Sequence, residues 1–321
     1  MLSLPDYIEK SVIICFPCEG HIISFKNDNL IIKDKEDKIL LQTTCHKIFS
    51  LFIVGHVTLT SGILEKSKKF GFSIYLLSYY FRPIGMWCSK TEGNFLLRKK
   101  QYDYNNVDIA KHITHNKISN QIELLKSIRN KSEKLKININ KIEQNIDNIN
   151  NVDDYQTLLG IEGSASRIFF GEWFEDLNWI GRKPRTKIDP INTLMDIGYT
   201  FLFNMIESML NLYGFDVYYG VYHKNFYQRK SLVCDIIEPF RSIVDKHIKS
   251  AYNLGQFKLD DFNLIKNQYF LKQEKNKEYT QWLLQSILKY KEDVFSYVQN
   301  YYRCFIRNKD INNYPTFKIN I

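Results

Sequence analysis

What this 321-residue sequence lacks narrows it quickly. No run of apolar residues approaches the roughly 18 to 20 that a membrane-spanning helix needs. The most apolar window, residues 191–213, is broken by Asn192, Asp196, Asn204 and Glu207. The opening residues, MLSLPDYIEK, put acids and a proline where a secretory signal carries a basic and then an apolar run. Cysteines number only six, at positions 15, 18, 45, 88, 234 and 304. They are too scattered for a disulfide framework, so a reducing, cytoplasmic setting is expected. No internal repeat is visible.

What is present is ordinary globular material with a charge bias. Hydrophobic residues make up 44% and aromatics 15%, enough apolar surface to offset the entropy of ordering, which excludes a disordered chain. Forty-four basic against 35 acidic residues leave +9. That favours a polyanionic partner without separating nucleic acid from a membrane surface.

Patterning divides the chain in two. Ser11–Phe16 is a short β-branched run, and residues 22–25 and 30–32 flank a polar turn at 26–29, a hairpin signal. Residues 39–42 and 51–59 add strand candidates. Thr60 or Ser61 can cap a short helix ending near Gly71, and residues 72–77 return as a strand. After Arg82-Pro83-Ile84-Gly85 the period lengthens. Ile118, Ile122, Leu125 and Ile128 share one helix face, as do Leu135, Ile139, Ile142, Ile146 and Ile149. Helical patterns then dominate to the C-terminus, including residues 282–305. The expected class is α+β: a small β-rich domain over 1–84, a linker over 85–93 and a larger all-α domain over 94–321.

Three stretches carry chemically suggestive residues. In Gly160-Ile161-Glu162-Gly163 an acid lies between glycines, where backbone can approach a ligand; on spacing alone a turn into a helix, with Glu162 at the positive end of the dipole, is the commoner explanation. His223, followed by Lys224, is either a metal ligand or base, or a hydrogen-bonded structural residue. Asp235, Glu238 and Arg241 step by three among apolar neighbours, as a partly buried metal locus or a surface ion pair would. Pro239 implies a kink or a helix start there. Together Glu162, His223 and Glu238 form an oxygen/nitrogen donor set suited to Mg2+ or Mn2+ rather than thiolate-bound zinc.

Over almost its whole length the sequence resembles the CRISPR-associated adaptation integrases (the Cas-one family). The resemblance runs through Val54-Gly55-His56-Val57-Thr58-Leu59-Thr60, Leu97-Arg98-Lys99-Lys100-Gln101, Ile109-Ala110-Lys111 and Lys117-Ile118-Ser119-Asn120-Gln121. It continues through the three stretches above and Val244-Asp245. It implies a β-rich N-terminal domain that forms a homodimer and a helical domain holding the metal site. Glu162, His223 and Glu238 are then the metal ligands, with Asp235 the nearby catalytic acid. The implied partners are double-stranded DNA, both prespacer and CRISPR repeat, and a small ferredoxin-like adaptation protein (Cas-two). The implied reaction is attack of a DNA 3′-hydroxyl on a phosphodiester at the repeat edge. A ligating His223 must be neutral, so activity should fall in mild acid. A DNA-binding scaffold without chemistry and a metal-dependent phosphodiesterase on other nucleic acids are the rival expectations.

Lesser candidates are Arg98, Arg182, Arg185, Lys224 and Arg241 as phosphate contacts, Tyr222 as a stacking ring, and Cys15 and Cys18 with His21 as a weak metal clip. Charge is uneven along the chain. Residues 151–250, which hold all three stretches, carry 11 basic and 13 acidic groups, while residues 1–90, 91–150 and 251–321 carry 11 and 8, 11 and 7, and 11 and 7. The expectation is a basic frame around an acidic metal centre.

Overall fold

The computed structural model describes residues 2–17, 21–88, 93–175, 179, 181–223 and 226–321; Cys18 and Lys224 lie outside these. After a short helix α1 (Leu4–Ile8) come β1 (Ser11–Cys15), β2 (Ile22–Lys26), β3 (Asn29–Lys33), β4 (Ile39–Thr44) and β5 (Ile48–Val54). Helix α2 (Ser61–Phe70), β6 (Ser73–Leu77) and β7 (Pro83–Trp87) complete the β-rich region. One sheet has the order β1-β5-β6-β7, parallel except for β7, and the other is an antiparallel β2-β3-β4.

Local chemistry explains these elements. The hairpin joining β2 to β3 turns on Asn27 and Asp28, both left-handed at φ 48° and 61°, as a two-residue hairpin loop requires. The fifth strand stops earlier than the expected residue 59. Gly55 adopts φ +126°, and a Cβ there would stand 2.5 Å from the Tyr79 ring, so the chain turns away where only glycine fits. Every residue of β5 is buried, as befits a strand covered on both faces. Ile48, Leu51 and Ile53 join Ile13, Ile63 and Phe72 in one apolar cluster, while Phe49, Phe52 and Val54 join the core of the helical region.

That second face docks the sheet on the helices. The Phe52 ring meets Phe201 edge-on at 5.3 Å, and the Tyr75 hydroxyl donates to the Asn204 carbonyl at 2.6 Å. Strand β7 runs past residue 84, so the sheet extends into the segment expected to be linker; residues 89–92 lie outside the described ones.

The helical region comprises α3 (Phe95–Asp103), α4 (Asp108–Lys126), α5 (Glu133–Ile149), α6 (Tyr155–Trp173), α7 (Pro190–Tyr213), α8 (Ser231–Ile236), α9 (Arg241–Asn253), α10 (Asn276–Leu288) and α11 (Lys291–Ile306). It is not purely α-helical. Strands β8 (Phe262–Ile265) and β9 (Gln268–Leu271) form an antiparallel hairpin between α9 and α10. The stretch 282–305 also breaks, at Lys289 and Tyr290, into α10 and α11. The apolar window 191–213 is the central helix α7, capped by Asp189 and ended by left-handed Gly214. It is buried by its neighbours, and among the described residues no helix is long and apolar enough to cross a membrane. At Gly198 a Cβ would lie 2.6 Å from Val244, so α9 packs onto α7 at a closeness that glycine permits. The result is α+β: a β-rich N-terminal region followed by a largely helical one.

Candidate functional site

Glu162 does not sit at a helix start. It lies inside α6, which begins at Tyr155 behind an Asp154 cap accepting from the Gln156 and Thr157 amides. Gly160 and Gly163 are helical, with open space where a Cβ would stand. The dipole explanation is therefore withdrawn, because that field fades within the first turn.

The acid is held from three directions. Helix α4 packs along α6 and sends in Lys117, whose ammonium contacts Glu162 Oε1 and, at 2.6 Å, Glu238 Oε2. The Tyr222 hydroxyl donates to Glu162 Oε2 at 2.8 Å. Glu238 begins a 3-10 turn (Glu238–Phe240) between α8 and α9, the break that Pro239 announced. Arg241 Nε donates to its Oε1 at 3.0 Å. Burial pushes the Glu238 carboxyl up, but Arg241, then Lys117 and His223, outweigh it and hold the group well below the usual carboxylate range. Burial opposes the charge on Lys117 in the same way, and Glu238 and Glu162 overcome it, raising its pKa.

Asp235 plays a different part. It is fully buried, and its Oδ2 accepts the Val221 and Tyr222 amides at 2.6 and 3.1 Å. Its Oδ1 accepts the His223 amide at 2.8 Å and ring Nδ1 at 2.7 Å. One carboxylate thus shapes the loop and fixes the imidazole, leaving Nε2 as the nitrogen available to a ligand. The loop can close this tightly because residue 220 is glycine: a Cβ there would lie 2.6 Å from Asp235 Oδ2. From the other side Gln101 on α3 donates to the Asp216 carbonyl at 2.7 Å and accepts the Asp216 amide at 3.0 Å.

The expected DNA contacts fare unevenly. Arg98 donates to the Gly214 carbonyl at 3.1 Å. Arg182 is bound to Asn192 at 2.9 Å and Asp196 at 2.7 Å, so both act within the fold rather than on solvent. Arg241 is committed to Glu238. Tyr222 is buried against the His223 ring and is not presented to a base. Arg185 is exposed. Lys224 and the Cys18 half of the cysteine pair lie outside the described residues, and Cys15 is buried in β1.

Three contributors escaped the sequence reading as site members. Lys117, Gln101 and Tyr199 are polar residues buried on helices. The Tyr199 ring has the guanidinium of Arg241 at 4.7 Å and that of Arg182 at 5.4 Å, and its hydroxyl donates to buried Asp245. The Lys117-Ile118-Ser119-Asn120-Gln121 and Leu97-Arg98-Lys99-Lys100-Gln101 stretches were the available signals for the first two of them.

The donor chemistry suits a hard divalent cation. Two carboxylates from distant parts of the chain already share one cation, the Lys117 ammonium, between them. Among the described residues no three His, Cys, Asp or Glu side chains gather around one point, so an ion entering there requires Lys117 to yield its place.

A family model described as CRISPR associated protein Cas1 matches residues 17–284. A "CRISPR-associated endonuclease Cas1 1" of Thermodesulfovibrio yellowstonii is 28% identical over 312 residues, covering 91% of this chain and 94% of that protein. Among solved structures, a chain of a Cas6-RT-Cas1–Cas2 complex superposes with a TM-score of 0.82 at 22% identity, over 97% of this chain and 36% of that longer one. A casposase bound to an integration product superposes with a TM-score of 0.77 at 18% identity, over 97% of this chain and 96% of that one. These two likenesses establish the fold.

Proposed function

The chain belongs to the Cas1 family of CRISPR-associated proteins, and from that premise we propose that it is a divalent-metal-dependent DNA endonuclease and integrase. It joins short DNA to the edge of a CRISPR repeat through attack of a 3′-hydroxyl on a phosphodiester. The observation that carries the reading is the meeting of Glu162 and Glu238 at one cation position, with the His223 imidazole, fixed by Asp235, near enough to Glu238 to help lower its pKa.

Glu162, His223 and Glu238 are the residues that would hold Mg2+ or Mn2+, which supplies Lewis-acid stabilisation of charge on phosphate oxygens. The chain's own groups do the rest. Tyr222 and Arg241 each fix one carboxylate oxygen, so the donors are oriented before substrate arrives. Asp235 sets the imidazole tautomer and is a positioning residue rather than a ligand, since the loop amides and His223 already occupy its oxygens. No side chain needs to form a covalent bond to DNA.

The partners follow the same reading: prespacer and repeat duplex, a second copy of the chain through the β-rich region, and a Cas2-type protein. Support comes from the endonuclease named above, from the Cas1–Cas2 assembly and from the integration product in the casposase structure. The test is strand transfer of a short duplex into a repeat-containing plasmid, with Mg2+ or Mn2+ and with or without the small partner. Joined product in wild type and its loss in Glu162→Ala are expected. Normal integration by Glu162→Ala indicates a scaffold, and nicking without joining indicates a phosphodiesterase; either result refutes the proposal.

A further inference from the structure

Lys117 is buried, so an ion that takes its place between Glu162 and Glu238 must leave the ammonium somewhere to go. A buried charge stripped of its partners is costly, and that cost opposes metal entry unless other acceptors take over. Two acceptors stand one helical turn further on. Gln121, only 3% exposed, has a buried Oε1 with no hydrogen-bond partner among the described residues, and the Oγ of Ser166 is buried without one as well. Buried polar atoms are nearly always satisfied, so two such atoms side by side call for an explanation. Register places them together. Helices α4 and α6 pack along each other in the same direction: Tyr155 at the start of α6 reaches the Asn106 carbonyl just ahead of α4, at 3.0 Å, and Lys117 reaches Glu162 further along both. One turn added to each member of that contact arrives at Gln121 and Ser166. Residues four apart share a helix face and side chains lean back toward the N-terminus, so the Gln121 amide is carried over the turn that holds Lys117. A turn rises about 5.4 Å, within the swing of lysine's flexible stem.

We propose that Gln121 Oε1, backed by Ser166 Oγ, is the resting site of the Lys117 ammonium when a divalent cation stands between Glu162 and Glu238. This rests on the reading of that cluster as a metal centre. Lys117 is then a placeholder. It holds the two carboxylates together without metal and moves aside along its own helix when metal arrives. The acids do not follow it, because Tyr222 and Arg241 hold their other oxygens at 2.8 and 3.0 Å. Gln121 acts through Lys117 and is a positioning residue. Its orphaned oxygen is idle in one state and occupied in the other.

The test compares the full wild-type chain with Gln121→Leu, which removes the acceptor at similar volume. Mn2+ affinity, read by electron paramagnetic resonance of the free ion, should fall about 10- to 100-fold, the scale of one hydrogen bond to a charged group. The metal-free variant should melt at or above the wild-type temperature, because the oxygen it loses has no partner in that state. A crystal structure of wild type grown with Mn2+ should place Lys117 Nζ within hydrogen-bonding distance of Gln121 Oε1. A metal-free variant that melts lower than wild type makes Gln121 a structural residue and overturns the proposal. So does a Mn2+-bound structure in which Lys117 ligates the ion as an amine or turns to solvent. Wild type that binds no Mn2+ overturns the metal centre itself. Mn2+ binding that is lost in Glu162→Gln and unchanged in Gln121→Leu overturns the resting site alone.

Discussion

Charge is handled in opposite ways by the two halves of the molecule. In the β-rich region the ion pairs lie on the surface: Asp28 at the hairpin turn meets Lys66 and Lys69 from α2, and Lys33 meets Asp37 at 3.0 Å, all in contact with solvent. The core behind them is apolar. In the helical region Glu162, Lys117, Glu238 and Arg241 form a chain of largely enclosed charges, and Glu207, Asp235 and Asp245 are buried outright. Exposed pairs are screened and contribute little, whereas buried charges lose hydration and persist only when matched partner by partner. A fold needs no such network for stability, so its concentration in one half marks where the molecule gives up stability for chemistry.

Removing one member of the buried network should have the largest effect. Lys117→Met leaves Glu162 and Glu238 facing each other with Arg241, on Glu238, as the remaining counter-charge, and the breaking of a buried pair points to a loss of about 3–5 kcal/mol in urea unfolding. Mn2+ should restore part of that loss in the variant, because the carboxylates would then share a divalent ion instead of an ammonium. Asp245 offers a titration of the same contrast. Burial, against the smaller opposing effects of the Tyr199 hydrogen bond and Arg241, raises its carboxyl from 3.8 to about 7. The folded state then binds more protons than the unfolded one between those values. Its contribution to stability must therefore fall as pH rises from about 4 through 7, and it recovers nothing above that range. Melting temperatures across pH 5 to 8 should decline in wild type and flatten in Asp245→Asn.

Asp235→Asn tests positioning rather than ligation. The fold should survive, while strand-transfer rate or metal affinity drops about 10- to 100-fold, the usual effect of losing a partner that orients a ligating histidine. The smallest effect belongs to the other half: Asp28→Asn should leave the melting temperature unchanged at 150 mM salt. A shift there comparable to that of Lys117→Met would erase the contrast between the halves.

The β-rich region was legible because its signals are local. The β2–β3 hairpin and the short helix ended by Gly71 come from residues within one element or turn, and the same locality made the apolar period of α5 readable in the helical region. The site was legible only in part. Glu162 and Glu238 stood out, yet paired glycines suggested a turn where α6 is continuous. Leu158, Ala165 and Phe169 anchor that helix by burial, outweighing the propensity cost of Gly160 and Gly163. Lys117 reads as a solvated lysine because the acids that justify its burial are far away in sequence. Arg98 and Arg182 looked like phosphate contacts for the same reason: the groups that consume them, the Gly214 carbonyl and the Asn192 and Asp196 side chains, belong to another element.

The central claim is that Glu162, His223 and Glu238 make a divalent-cation site at the position Lys117 now bridges. Titration of the full chain with Mn2+, followed by electron paramagnetic resonance of the free ion, addresses it directly. One bound ion per chain in wild type, lost in both Glu162→Gln and Glu238→Gln, is the predicted result. Equal Mn2+ binding by wild type and both variants would contradict it, as would no binding by any of them.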